Sequence, residues 1–170
     1  MQTAQIVSDG MYGVLEVFGP TLEFLIPPDE AGAVYCVMMG SMPPGVSVPL
    51  HSHPDIESFF LLSGVVQVLS QSAQNFEWLD VKPGDFVHVP SGAKHAFRNI
   101  GTEPAVQLIT TTPRLGRFFR EVGRPIKPRG PPVAAADGRG ASTFRAHGRP
   151  LPAMAGHAGG KCGHRNITFL

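Results

Sequence analysis

The chain has 170 residues, of which 42% are hydrophobic, enough for one buried core and an appendage. Two cysteines indicate no disulfide framework, and no apolar run is long enough to span a bilayer as a helix. The opening MQTAQIVSDG has neither a basic n-region nor an apolar h-region, so no secretory signal is expected and a reducing cytoplasm is the expected compartment. The net charge of +1 hides an asymmetry. Residues 1–122 hold six Lys/Arg against twelve Asp/Glu, while residues 123–170 hold eight against one. An acidic body precedes a basic tail.

Short apolar runs separated by Gly and Pro turns predict strands over 13–18, 21–26, 33–39 and 46–53. The run at 33–39, which holds Cys36, is read as a strand covered on both faces. ESFFLL and VVQVLS flank Ser63-Gly64 and read as a hairpin over 57–70. Further strands are expected at 76–81, 86–89, around 95–99 and at 105–111. About ten short strands argue for an all-β sandwich or barrel. The period then changes. Leu115, Phe118, Phe119 and Val122 fall on one face of a short helix over 115–122, with Gly123 placed to cap it. Beyond Gly123 periodicity stops, and Gly, Pro, Ala and Arg dominate. Residues 123–170 are read as a disordered basic tail.

The chemistry concentrates in two stretches. In GVSVPLHSHPDIESFFLLSG, residues 45–64, His51 and His53 share strand parity, and Glu57 follows a bend at Pro54-Asp55. Two imidazoles and a carboxylate make a site for a divalent transition metal. GDFVHVPSGAKHAFRN, residues 84–99, supplies a further imidazole, His95. Asp55 reads as a turn residue. Gly45, Gly64, Gly84 and Gly92 read as turn or corner positions.

The first stretch reads G-x5-H-x-H-x3-E-x6-G and the second G-x5-P-x-G-x2-H-x3-N, the latter filled by Gly84, Pro90, Gly92, His95 and Asn99. Together they resemble the two motifs of the cupin superfamily, with no position missing, over roughly residues 10–122. The resemblance implies a double-stranded β-helix, or jelly-roll, barrel. It also implies His51, His53, Glu57 and His95 as ligands of one divalent ion, drawn from Fe, Mn, Ni, Co, Cu or Zn. Such a ligand set leaves coordination positions open for water, dioxygen or substrate.

The full set is similar to that of quercetin-dioxygenase-like and germin-like cupins. It implies a small metal-dependent dioxygenase in which Glu57 is a ligand and also accepts a substrate proton. A non-oxidative isomerase, lyase or decarboxylase on the same site is the alternative, and a non-catalytic small-molecule binder a third. Phe59, Leu61 and Phe97 share parity with a ligand and are candidate cavity walls, with Gln67, His88 and Gln107 as candidate polar contacts. An apolar or aromatic substrate follows from such a lining. Cupins often pair through an outer sheet, so a homodimer is expected. The basic tail lacks an aromatic platform or a groove-reading helix, which argues against a nucleic-acid partner. Its His147, His157, Cys162 and His164 match no zinc spacing.

Overall fold

A computed structural model describes residues 4–8, 10–30, 32–71 and 75–126 and the backbone of 168–169. The chain divides into two units, 1–128 with 165–170 and 129–164, and every described residue belongs to the first. The four tail residues considered for zinc lie outside the described residues.

Among the described residues twelve strands and one helix follow in the order β1 (Val14–Glu16), β2 (Thr21–Ile26), β3 (Cys36–Met42), β4 (Ser47–Ser52), β5 (Glu57–Ser63), β6 (Val66–Gln71), β7 (Phe76–Val81), β8 (Phe86–Val89), β9 (His95–Arg98), β10 (Ala105–Thr111), α1 (Pro113–Val122), β11 (Arg124–Ile126) and β12 (Thr168–Phe169). They form a seven-stranded sheet, β11-β1-β2-β3-β10-β5-β8, and a five-stranded sheet, β12-β4-β9-β6-β7. All pairings are antiparallel. The architecture is the all-β jelly roll. Among the described residues no ladder joins the two sheets, so the barrel is not closed.

The core lies between the inward faces of the sheets. Phe24, Met38, Met42, Leu61 and Val66 are among its fully buried side chains. β3 begins three residues later than expected, because Val34 and Tyr35 stand exposed before it. It is not covered on both faces: buried and half-buried residues alternate along it, as in an antiparallel strand with one face inward.

The hairpin expected over 57–70 is absent. β5 lies in the seven-stranded sheet and β6 in the five-stranded one, and Ser63-Gly64 is the corner between them. Gly64 has φ +80, and a Cβ there would lie 2.6 Å from Ala105 Cα and 2.9 Å from the Pro104 carbonyl oxygen. The turn is tight against the chain's own backbone, which is why the position takes glycine. The same crossing occurs between β4 and β5 and between β8 and β9. Each motif therefore turns a corner between sheets, and this brings its polar residues to the inside.

α1 starts two residues before its expected bound. Thr112 is the N-cap, its hydroxyl accepting from the Leu115 N–H, and Pro113 follows at the first turn. Leu115 and Gly116 are buried, Phe118 and Phe119 half-buried and Val122 exposed, so the apolar face is narrower than expected. Gly123 is not a left-handed cap. Its φ is −68, and its N–H donates to the Phe119 carbonyl. A Cβ there would meet that oxygen at 2.6 Å and Leu15 Cβ at 3.0 Å, so the glycine serves close approach. Tail residues 124–126 pair with β1 and 168–169 with β4, so regular structure reaches past Gly123.

Candidate metal centre

His51 comes from β4, His95 from the neighbouring β9, and Glu57 opens β5 in the facing sheet. His53 lies just past the end of β4, on the corner that leads to Glu57. All four side chains are buried. The ligand nitrogens of His51, His53 and His95 lie within 4.8 Å of one another. Glu57 Oε2 lies 3.4 Å from His53 Nε2 and 3.9 Å from His95 Nε2. Two ligands about 2.1 Å from a shared ion stand roughly 3–4 Å apart, which matches these separations.

Each imidazole is aimed by a backbone carbonyl. Nδ1 of His51 donates to Pro49 O at 2.8 Å, that of His53 to Asp55 O at 3.0 Å, and that of His95 to Ala93 O at 2.9 Å. A carbonyl only accepts, so the proton of each neutral ring sits on Nδ1 and the lone pair on Nε2. Nε2 of His53 and of His95 is buried and has no hydrogen-bond partner among the described residues. The 3.4 and 3.9 Å approaches to Glu57 are not hydrogen bonds. A buried polar atom left unpaired costs about 1–3 kcal/mol. Two such atoms beside a carboxylate are the donor set that a divalent ion satisfies.

The ionisation balance favours the neutral ring at His51 and His95 and the charged ring at His53. Burial holds His51 below the usual histidine range, only partly offset by its bond to Pro49 and by the Glu57 charge. Burial, with smaller contributions from His51 and His53, pushes His95 down to about 4, against its bond to Ala93. Burial also opposes charge on His53, but the Glu57 carboxylate outweighs it and the group is raised.

The corner bearing His53 and Glu57 is held from several sides. Gly92 N–H donates to His53 O at 2.8 Å, and Ser91 Oγ to Pro54 O at 2.8 Å, so the second motif clamps the first. Thr111 Oγ1 donates to Ile56 O at 2.7 Å. Asp55 is more than the turn residue expected. It is buried, and it receives Arg114 Nε at 3.0 Å, Arg114 Nη2 at 2.9 Å and the Thr112 hydroxyl. Asn99 fixes the loop after β9, donating to Met42 O at 2.8 Å and Glu103 O at 2.9 Å and accepting from Gly101 N.

Beside the ligands lies a cavity of about 70 Å³ lined by His51, Glu57, Phe59, Phe97, Gln107 and Ile109, among others. Of the expected walls, Phe59, Phe97 and Gln107 are there. Leu61 shares their face but is packed in the core and does not line this cavity. Gln67 does not reach it. Val66 and Val68 point inward, so Gln67 points out, accepting from Arg98 Nε at 2.8 Å and donating to Asp80 at 2.7 Å. His88 is likewise on the outer face: Val89 is buried, and His88 Nδ1 faces Ser58 Oγ at 3.1 Å. Phe18, Met42, Phe118 and Phe119 are further parts of the lining and were not expected. Phe18 has φ 55, a conformation non-glycine residues rarely adopt, at the β1–β2 turn.

Two facing antiparallel sheets enclose a buried cluster of three histidines that could hold a metal ion, in a small β-sandwich protein. A family model described as the cupin domain matches residues 38–111, which hold both motifs. Residues 38–111 thus carry a cupin domain. Among solved structures it is similar to the polyketide cyclase RemF from Streptomyces resistomycificus, at 18% identity and TM-score 0.56, covering 65% of this chain and 80% of that one. It is also similar to a predicted oxalate decarboxylase from Thermotoga maritima, at 20% identity and TM-score 0.56, covering 64% and 98%. Against oxalate decarboxylase from Lactobacillus farciminis the identity is 23% and the TM-score 0.50, covering 58% of this chain and 30% of that one. At these identities the likeness is one of fold. No curated protein sequence matched the chain.

Proposed function

We propose that this protein is a metal-dependent dioxygenase acting on a small, largely apolar molecule in the manner of quercetinase-like cupins. The observation that carries the reading is the convergence of His53 Nε2, His95 Nε2 and Glu57 Oε2 beside a cavity whose other walls are mainly aromatic and aliphatic. His51, His53, His95 and Glu57 would hold Fe(II), Mn(II) or a related divalent ion. When bound, the ion polarises a substrate oxygen and brings it beside dioxygen. The apolar walls exclude water and orient the carbon skeleton. Glu57, at the cavity edge, takes the substrate's acidic proton on a carboxylate oxygen. Both atoms of dioxygen enter the product, so no external reductant is required.

The test is oxygen uptake by protein of known metal content, offered small diketones, aromatic diols and flavonols. Turnover with stoichiometric oxygen consumption supports the reading. Turnover that proceeds unchanged without oxygen assigns the site to a lyase, isomerase or decarboxylase, and ligand-dependent stabilisation without turnover to a binding module.

We propose a reducing cytoplasm as its compartment, in which the buried Cys36 would stay a thiol. A second copy of the chain is its proposed partner. On the outer face of the seven-stranded sheet, Met39, Leu108, Phe60 and Phe86 lie in register across β3, β10, β5 and β8. An antiparallel sheet with one face in the core normally turns polar residues outward, and this row does not.

A further inference from the structure

We propose that the carboxamide of Gln107 binds the far end of the substrate, so that the site takes a small molecule with an oxygen function at each end and an apolar middle. This rests on the metal-site reading above and narrows its substrate class.

Gln107 points inward from β10 and is only 5% exposed. It lines the cavity among Phe59, Phe97 and Ile109. Among the described residues its carboxamide makes no hydrogen bond, and leucine or methionine would suit packing alone better. The carboxamide can therefore accept from or donate to a ligand hydroxyl or carbonyl in the cavity.

The backbone makes room for it. The alternation of β10 runs unbroken through Gln107, which turns its side chain inward with Ala105 and Ile109, while the extra residue of the register shift against β5 is Leu62. Across β3, Gln107 faces Gly40, where a Cβ would lie 2.7 Å from Ile109 Cδ1 and 3.4 Å from Gln107 Cγ. Glycine there lets Ile109 and Gln107 pack against the backbone of β3.

Position and size set the ligand. Thr111 pairs with Glu57, Ile109 with Phe59 and Gln107 with Leu61. Gln107 thus stands four residues along β10 from the Glu57 row, about 13 Å at about 3.4 Å per residue, with Phe59 and Ile109 between. The cavity of about 70 Å³ has room for roughly five to seven non-hydrogen atoms, taking about 10–15 Å³ for each water-sized site. A four-carbon carboxylate with a hydroxyl or oxo group at its other end fits that volume.

The test uses the full chain loaded with Mn(II) and two carboxylates of equal heavy-atom count, 4-hydroxybutanoate and pentanoate, titrated calorimetrically. The wild type should prefer 4-hydroxybutanoate by about tenfold, the worth of one buried hydrogen bond. Gln107→Leu should erase that preference with metal content unchanged. Should Gln107→Leu misfold, Gln107→Met replaces it. Equal binding of the two probes by the wild type, a preference that survives the substitution, or no binding of either overturns the proposal. The same ratio is measured after chelation. A protein that retains no metal overturns the metal reading, while Gln107 is still judged on the ratio.

Discussion

Asp55 and Arg114 form a two-pronged ion pair, Nε to Oδ1 at 3.0 Å and Nη2 to Oδ2 at 2.9 Å, that ties the corner between two metal ligands to the first turn of α1. The carboxylate is buried while the Arg114 side chain is 57% exposed, so solvent screens the pair and its direct contribution to stability is modest. Its weight falls on geometry, because Asp55 also supplies the carbonyl that orients His53. Arg114→Met is expected to lower metal affinity about tenfold, in the range seen when partners of ligands are removed, with a stability loss of about 1 kcal/mol. Competition titration against a chelator and urea melts of the metal-free protein separate the two. Unchanged affinity would show that the pair does not position the site.

The ligand assignment predicts a sharper loss. His51→Ala and His95→Ala should each leave the purified protein without stoichiometric metal, while its far-ultraviolet circular dichroism stays that of a β protein. His88→Ala, on the outer face, should keep the full metal content. Elemental analysis of the three variants decides it, and stoichiometric metal in either ligand variant refutes the set.

Much of this was legible in the sequence because metal chemistry fixes residue types at fixed spacing. His51, His53, Glu57 and His95 could be placed from their intervals alone. What spacing could not convey was pairing. A Ser-Gly step between two apolar runs looks the same whether the second run pairs with the first or leaves for the other sheet, and only the contact of Gly64 with Ala105 distinguishes them. Parity turned Phe59 and Phe97 to the inward face, because each shares a strand with Glu57 or His95. It was no guide for Gln67, whose strand carries no ligand, or for His88, whose neighbours Phe86 and Pro90 also stand outside. Asp55 was read as a turn because its partners lie 57 and 59 residues away. The Thr112-Pro113 pair was a visible capping signal that would have placed the start of α1.

The corner itself is open to test. Gly64→Ala meets both a left-handed φ and backbone atoms within 3 Å, and is expected to destabilise the fold by about 3 kcal/mol or more. Gly84 also has a positive φ, +94, but nothing lies within 4 Å of a Cβ there. Gly84→Ala should cost only about 1–2 kcal/mol. Urea denaturation of both variants measures the difference, and equal losses would mean that conformation rather than crowding governs Gly64.

Acid should weaken the metal-free protein. An unfolded histidine titrates near 6.5, whereas His95 in the folded chain is pushed down to about 4, first by burial. Between those values the unfolded chain binds a proton that the native one refuses. Stability present above pH 6.5 is therefore lost as pH falls toward 4, up to about 3 kcal/mol from this group. His51, also lowered, acts in the same direction. His53 is raised, so its contribution is fully present below 6.5 and is lost as pH rises through its folded value. Two groups oppose one, and the urea midpoint of chelated protein should fall between about pH 7 and pH 4.5. His95→Gln should flatten that fall, and an equally steep fall in the variant would mean that His95 is not its source.

The apolar row on the seven-stranded sheet predicts how the chain associates. Phe60 is 38% exposed, Leu62 44% and Phe86 65%, on adjacent strands of one face. Among the described residues β8 is also an edge strand of its sheet. Closing a two-fold contact over this face removes aromatic surface from water at about 25 cal/mol per Å². Phe60→Glu sets a carboxylate in that contact on both copies, where it must be desolvated without a partner. Light scattering across a dilution series should find the wild type dimeric and Phe60→Glu monomeric, with metal content preserved because Phe60 points away from the ligands. A wild type that is monomeric at micromolar concentration, or a Phe60→Glu variant that remains dimeric, would exclude this face as the interface.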